Sequence, residues 1–211
     1  MKDSLVALKA TPKTGGVDDV VAGSLGTEIS SMKEFHGLRN LDPGELTASQ
    51  KARLKAIRDA IPGPANGETM QKVIKSADIE DYLDGTTEHI GGFVAKNADV
   101  GDLDTVDDLV EGLRLDYDGG FSGETEVGLL EFPIPQGNSA EIPYSTSMGG
   151  SLATDYPFSG NGFSATRKGK VVPEFRIGTA IDIPEGTNNN LDAAGNKVLQ
   201  GTYQNGAWVE P

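Results

Sequence analysis

Tyr144-Ser145-Thr146-Ser147 lies in a run of short β-like segments, and Glu174 closes Lys170-Val171-Val172-Pro173-Glu174 just before Phe175. A hydroxyl triplet on one strand and a lone carboxylate on a later strand can hold a ribose between them. Hydroxyls both donate and accept, and an ionised carboxylate accepts from a sugar O–H. Other chemistries lack their parts. Asp99, Asp102, Asp104, Asp107 and Asp108 do not fall at the spacing of a calcium loop, and they read as helix caps and a solvated acidic face. His36 and His89 are the two histidines, too few for a zinc site and without a two-His helical motif, and no metal site is expected. No Gly-x-Ser-x-Gly elbow is present. Ser159-Gly160-Asn161-Gly162 lacks the Lys of a phosphate loop. Glu131, Glu141 and Glu174 are glycosidase carboxylates by number alone, with no spacing that selects a pair.

The elements that must position these residues follow from pattern. Residues 1–46 are expected to form a flexible tail or linker, because Gly, Ser, Thr and Asp dominate the first 34 without a period. Residues 47–84 read as a helical segment. Thr47 and Gln50 form a capping box, Leu54, Ile57 and Ile61 make one face, and Pro62-Gly63-Pro64 stops the helix. A second helix is expected from Thr69 to Lys75, and a third after Ser76, ending at Gly85.

Residues 85–211 read as a β-rich domain. Ile90–Ala95 looks like the first strand, with Gly91-Gly92 allowing close approach. Asp104 or Thr105 caps a helix through Leu115. Further strands are expected at Val127–Phe132, Ile142–Ser147, Gly162–Thr166, Lys170–Ile177, Thr179–Ile183, Lys197–Tyr203 and Ala207–Val209, with Asn205-Gly206 as a type I′ hairpin. The fold class is α+β: helices first, then a mostly antiparallel sheet.

Composition narrows the partners. Among 211 residues there are no cysteines, hence no disulfide and no thiolate metal site. The net charge of −14 falls wholly in 81–211, where 7 basic residues face 21 acidic ones. Such a surface repels phosphate backbones, so nucleic-acid binding is not expected. Arg167-Lys168-Gly169-Lys170 reads as a charged hairpin turn. No apolar stretch is long enough to span a bilayer, and the N-terminus lacks the apolar length of a secretory signal. The chain is expected to be soluble; export or delivery into a target cell would need a route other than a cleaved signal peptide.

Arg114, Ser145-Thr146-Ser147 and Glu174, in that order, resemble the Arg, Ser-Thr-Ser and Glu elements of the ADP-ribosyltransferase-like fold of bacterial and phage-borne toxin domains. Tyr156–Phe163 and Val172-Pro173-Glu174-Phe175 are similar to C-terminal domains of polymorphic toxins and phage head-associated proteins. The resemblance spans about 85–211. It implies a split sheet, a toxin or effector role, and NAD as substrate, consumed by ADP-ribosyl transfer or glycohydrolysis. Arg114 would hold the pyrophosphate, Ser145 would brace the sheet behind the ribose, and Glu174 would bond the ribose 2′-hydroxyl and stabilise an oxocarbenium-like transition state. Tyr144 or Phe163 would stack on nicotinamide, with Thr146, Ser147 and Asn161 completing the site. Val172 stands where many members carry Glu or Gln, which points away from arginine as acceptor. His89 precedes the first-strand candidate, so a His89, Tyr144, Glu174 arrangement competes with one using Arg114. The implied partners are NAD and a protein acceptor or immunity protein. The reading from charge alone is a non-enzymatic acidic module, an immunity protein or virion component, that binds a basic partner.

Overall fold

Thr47 caps the helix Ala48–Ala60 as its sequence requires: its Oγ1 accepts from the Gln50 N–H, and the Gln50 side chain accepts from the Thr47 N–H. The computed structural model describes residues 17, 20, 21, 32–42, 44–116, 119–137, 140–143, 158–159, 162–164, 166 and 171–211. The helices are α1 (Met32–Arg39), α2 (Ala48–Ala60), α3 (Ile79–Leu83, entered through a 3-10 turn at Ser76–Asp78), α4 (Asn97–Val100) and α5 (Val106–Leu113). The strands are β1 (Thr69–Lys75), β2 (His89–Lys96), β3 (Glu126–Pro133), β4 (Ala140–Glu141), β5 (Phe158–Ser159), β6 (Gly162–Phe163), β7 (Phe175–Asp182), β8 (Gly186–Asp192), β9 (Lys197–Gln204) and β10 (Ala207–Val209). Eight of them form one sheet in the order β10-β9-β8-β3-β1-β2-β7-β4, with every adjacent pair antiparallel. The fold is α+β with a largely antiparallel sheet.

Alternation along the strands divides the core. Met70 and Ile74 of β1, Ile90 and Val94 of β2, Leu130 and Phe132 of β3, and Phe175, Ile177 and Ile181 of β7 enter one cluster with Phe35, Leu38, Leu54 and Ile57 of the helices. Val127, Leu129 and Leu191 face the other side, under Val106 and Leu109 of α5. Thr105 caps α5, accepting from the Asp108 N–H.

Several expectations are corrected. Thr69–Lys75 is a strand, not a helix. Its apolar positions at 70, 73 and 74 suit either period, and pairing on both sides, with β2 and β3, decides it. Residues 47–84 therefore do not stand apart from 85–211, since they supply a central strand and the helix α2 to the same core. Nor is 1–46 a linker throughout. Val17 and Val21 are helical and buried, and α1 places Phe35 and Leu38 in the core. The strands expected at Lys170–Ile177 and Thr179–Ile183 are one strand, Phe175–Asp182. The stretch Gly186–Asp192, too polar to be read as a strand, is inserted between β3 and β9, where Asn188 and Asn189 are buried. Asn205 and Gly206 have φ of 53° and 81°, as a type I′ turn demands. No described helix is long and apolar enough to cross a membrane.

Lys72 shares the core-facing side of β1 with Met70 and Ile74. Burial holds its amine below the usual lysine range, against the opposing pull of Asp78. A folded state that disfavours the proton loses stability when the unfolded chain keeps it. That cost is present at neutral pH and fades as pH rises from the lowered folded value through 10.5. Lys72→Met is therefore expected to raise stability at pH 7 by about 1 kcal/mol, read as an upward shift in the urea midpoint. A downward shift would show that the ammonium contributes more than it costs.

Candidate functional site

Glu174 stands just before β7, in an antiparallel bracket formed by 162–164 and 172–174. The Ser164 N–H donates to the Val172 carbonyl at 2.9 Å, the Val172 N–H to Ser164 Oγ at 2.9 Å, and the Glu174 N–H to the Gly162 carbonyl at 3.0 Å. The Glu174 carboxylate completes the bracket: Oε2 accepts from the Gly162 N–H at 3.0 Å. One glutamate thus holds both backbone polar groups of Gly162. Gly162 has φ of 96°, a conformation that a side chain at this position would strain.

Helix α1 holds the bracket from behind. Phe35 packs edge-on against Phe163 with ring centroids 5.4 Å apart. Arg39, almost fully buried, donates from Nη1 to the Ser164 carbonyl at 2.9 Å and from Nη2 to the Thr166 carbonyl at 3.0 Å. A planar guanidinium can reach two carbonyls at once, which an ammonium cannot do with the same geometry. Sequence reasoning missed Arg39. Its one local signal was the spacing of Phe35, Leu38 and Arg39 along a helix, and the partners lie more than 120 residues away.

The Glu174 carboxyl is half-buried, and its pKa is pushed up from 4.5 to about 7. Burial is the larger cause, and the Gly162 N–H works against it by favouring the anion. Near neutral pH the group exists in both forms. The anion can stabilise a developing positive charge, and the acid can donate a proton.

The other expected residues divide. Arg114 ends α5 at φ 53° and ψ 46°, a left-handed conformation uncommon for a residue with a side chain. Its Nη1 lies 3.7 Å from Glu111 Oε2 and its Nη2 3.3 Å from Asp116 Oδ1. Leu113, immediately before it, packs on the cluster of Ala95, Val100 and Val172. Val172 of that cluster lies two residues before Glu174 along the chain, while the Arg114 guanidinium itself is turned to Glu111 and Asp116. His89 is elsewhere. It pairs with Asp182 at the far end of β2 and β7, its Nε2 3.4 Å from Asp182 Oδ1. Eight residues of β7 separate that end from Glu174, roughly 25 Å at the rise of a strand. The His89, Tyr144, Glu174 arrangement is thus not assembled. Phe163 is corrected too, because it is fully buried against Phe35 and has no face to offer nicotinamide. Tyr144, Ser145, Thr146, Ser147 and Asn161 lie outside the described residues, as does the expected turn at 167–170.

Among the other expected acids, Glu131 is occupied structurally, with Oε1 2.8 Å from Lys197 Nζ and Oε2 accepting from Asn189 Nδ2 at 3.1 Å. Glu141 pairs with Arg176 in the register of β4 and β7. Comparison of the chain with protein-family models, curated proteins and solved structures gives no match.

Proposed function

We propose that this chain is an NAD-consuming effector domain with an ADP-ribosyltransferase-like fold, cleaving the nicotinamide–ribose bond by glycohydrolysis or ADP-ribosyl transfer. The supporting observation is the half-buried Glu174 carboxyl, fixed to Gly162 and poised at about pH 7. A carboxyl tuned to the working pH is more common at reacting sites than on ordinary surfaces.

In the proposed reaction the C1′–N bond breaks and its electron pair goes to the pyridinium nitrogen, so nicotinamide leaves neutral. Positive charge grows at C1′ and the ring oxygen, and ionised Glu174 stabilises it while accepting from the 2′-hydroxyl. Water or an acceptor side chain then adds its oxygen or nitrogen to C1′. The proton it sheds passes to the carboxylate or to solvent. Arg114 carries five N–H donors, of which its two carboxylate neighbours use a part, leaving others for the pyrophosphate.

Incubation with NAD is expected to release nicotinamide. Because the active form is the anion, the rate should rise about tenfold between roughly pH 6 and pH 8, following the ionised fraction of a group with pKa about 7. Free ADP-ribose as co-product indicates hydrolysis; a label carried onto an added protein indicates transfer. An absence of nicotinamide release, or a rate that falls with pH across that range, overturns the assignment.

A further inference from the structure

At the sheet edge remote from Glu174, a groove of about 590 Å³ runs between α3 and the β9–β10 hairpin. Five strand spacings separate β9 from β7, roughly 25 Å. Leu83, Leu199, Val209 and Trp208 give the groove its apolar surface, and Glu80, Asp84 and Glu210 its charge. Among the described residues that line it, none is basic. Leu199 and Val209 are exposed although apolar. Trp208 packs edge-on against Tyr203 at 5.2 Å. Its Nε1 is covered and finds no hydrogen-bond partner among the described residues, so the ring offers the groove carbon surface and not a donor. Gly201 makes room for that ring, since a Cβ there would sit 3.3 Å from Trp208 Cε3 and 3.0 Å from Leu83 Cδ2. Beside the groove, β10 ends the order of the described sheet, so its outer backbone groups face no described strand.

We propose that this groove docks an extended, basic segment of a partner protein. A Lys or Arg side chain matches each part of it. The aliphatic stem lies along Leu83, Leu199 and Val209, the cation meets the indole and the three carboxylates, and the segment's main chain adds to β10. Charge complementarity selects this occupant: the charged residues of the groove are all acidic, and two of the three, Asp84 and Glu210, belong to residues 81–211, which carry all of the −14 net charge. Hydrogen bonds from Thr86 hold the Asp84 carboxyl below the usual carboxylate range, which favours its charged form.

The chain has one tryptophan, so Trp208 fluorescence reports on the groove directly. Titration of the whole chain with a labelled peptide of about ten residues alternating Val and Lys should give saturable one-to-one binding, with a matching change in Trp208 emission. Raising salt from about 50 to about 300 mM should weaken it severalfold. The combined variant Glu80→Gln, Asp84→Asn, Glu210→Gln should bind about tenfold more weakly with its melting curve unchanged, since all three side chains are exposed. No saturable binding, full binding by that variant, or equal binding of a Val-Glu peptide would overturn the proposal. So would a free polyamine binding as well as the peptide, because that response needs no segment to dock. NAD turnover plays no part in any of these readouts.

Discussion

Glu174→Gln is expected to lower nicotinamide release from NAD by about 10²- to 10³-fold while making the protein more stable above neutral pH. The two effects share one cause. Folding moves the Glu174 carboxyl from 4.5 to about 7. The folded state therefore holds the proton more tightly than the unfolded chain. The stability this represents is fully present below pH 4.5, declines as pH rises through 7, and is absent above it. The shift corresponds to about 3 kcal/mol, and residual solvent contact brings the realistic effect to about 1–3 kcal/mol. Glutamine keeps an oxygen for the Gly162 N–H without the charge. Urea unfolding of both proteins should show near-equal stability at about pH 4 and a growing advantage for the variant towards about pH 8. A variant that is less stable at high pH would show the carboxylate to be well solvated after all. Retained turnover would remove Glu174 from the reaction, whatever the stability result.

Arg39→Met should cost about 2–4 kcal/mol and should open the bracket at Gly162 and Ser164. Removing the guanidinium leaves the Ser164 and Thr166 carbonyls buried without their charged donor. Arg39→Lys should restore little, because one ammonium cannot reproduce the two-pronged geometry. Hydrogen exchange separates this from a general loss of stability. Protection at the Gly162 and Ser164 amides should fall by more than that at β1 and β3, whose ladders include neither carbonyl that Arg39 holds. Uniform loss across all strands would mean that Arg39 supports the fold at large and has no special hold on the site.

What the sequence disclosed was local. The Thr47 capping box, the Thr105 cap and the Asn205-Gly206 turn are closed by groups at most a few residues apart, so their signatures survive in a linear reading. What it hid depends on distant pairing. Met70, Val73 and Ile74 fit a helix or a strand, and only β2 and β3 on either side choose between them. Gly186–Asp192 carries a single large apolar residue, Leu191, yet it is a strand because β3 and β9 saturate its backbone on both sides. The candidate site was half legible. Glu174 was singled out by its position after Val172-Pro173, but its tie to Gly162 was invisible, as was the role of α1 behind Phe163. His89 competed with Arg114 because it precedes the glycine pair in sequence, and the antiparallel register carries it to the far end of β7 from Glu174.

The reach of Arg39 to Ser164 and Thr166 has a kinetic corollary. Contacts spanning more than 120 residues close large loops, and such closures are slow because their entropy must be met before the contact forms. During synthesis, α1 leaves the ribosome long before its carbonyl partners exist. The nascent chain must therefore carry Phe35 and Arg39 without these partners until residues 163–166 emerge.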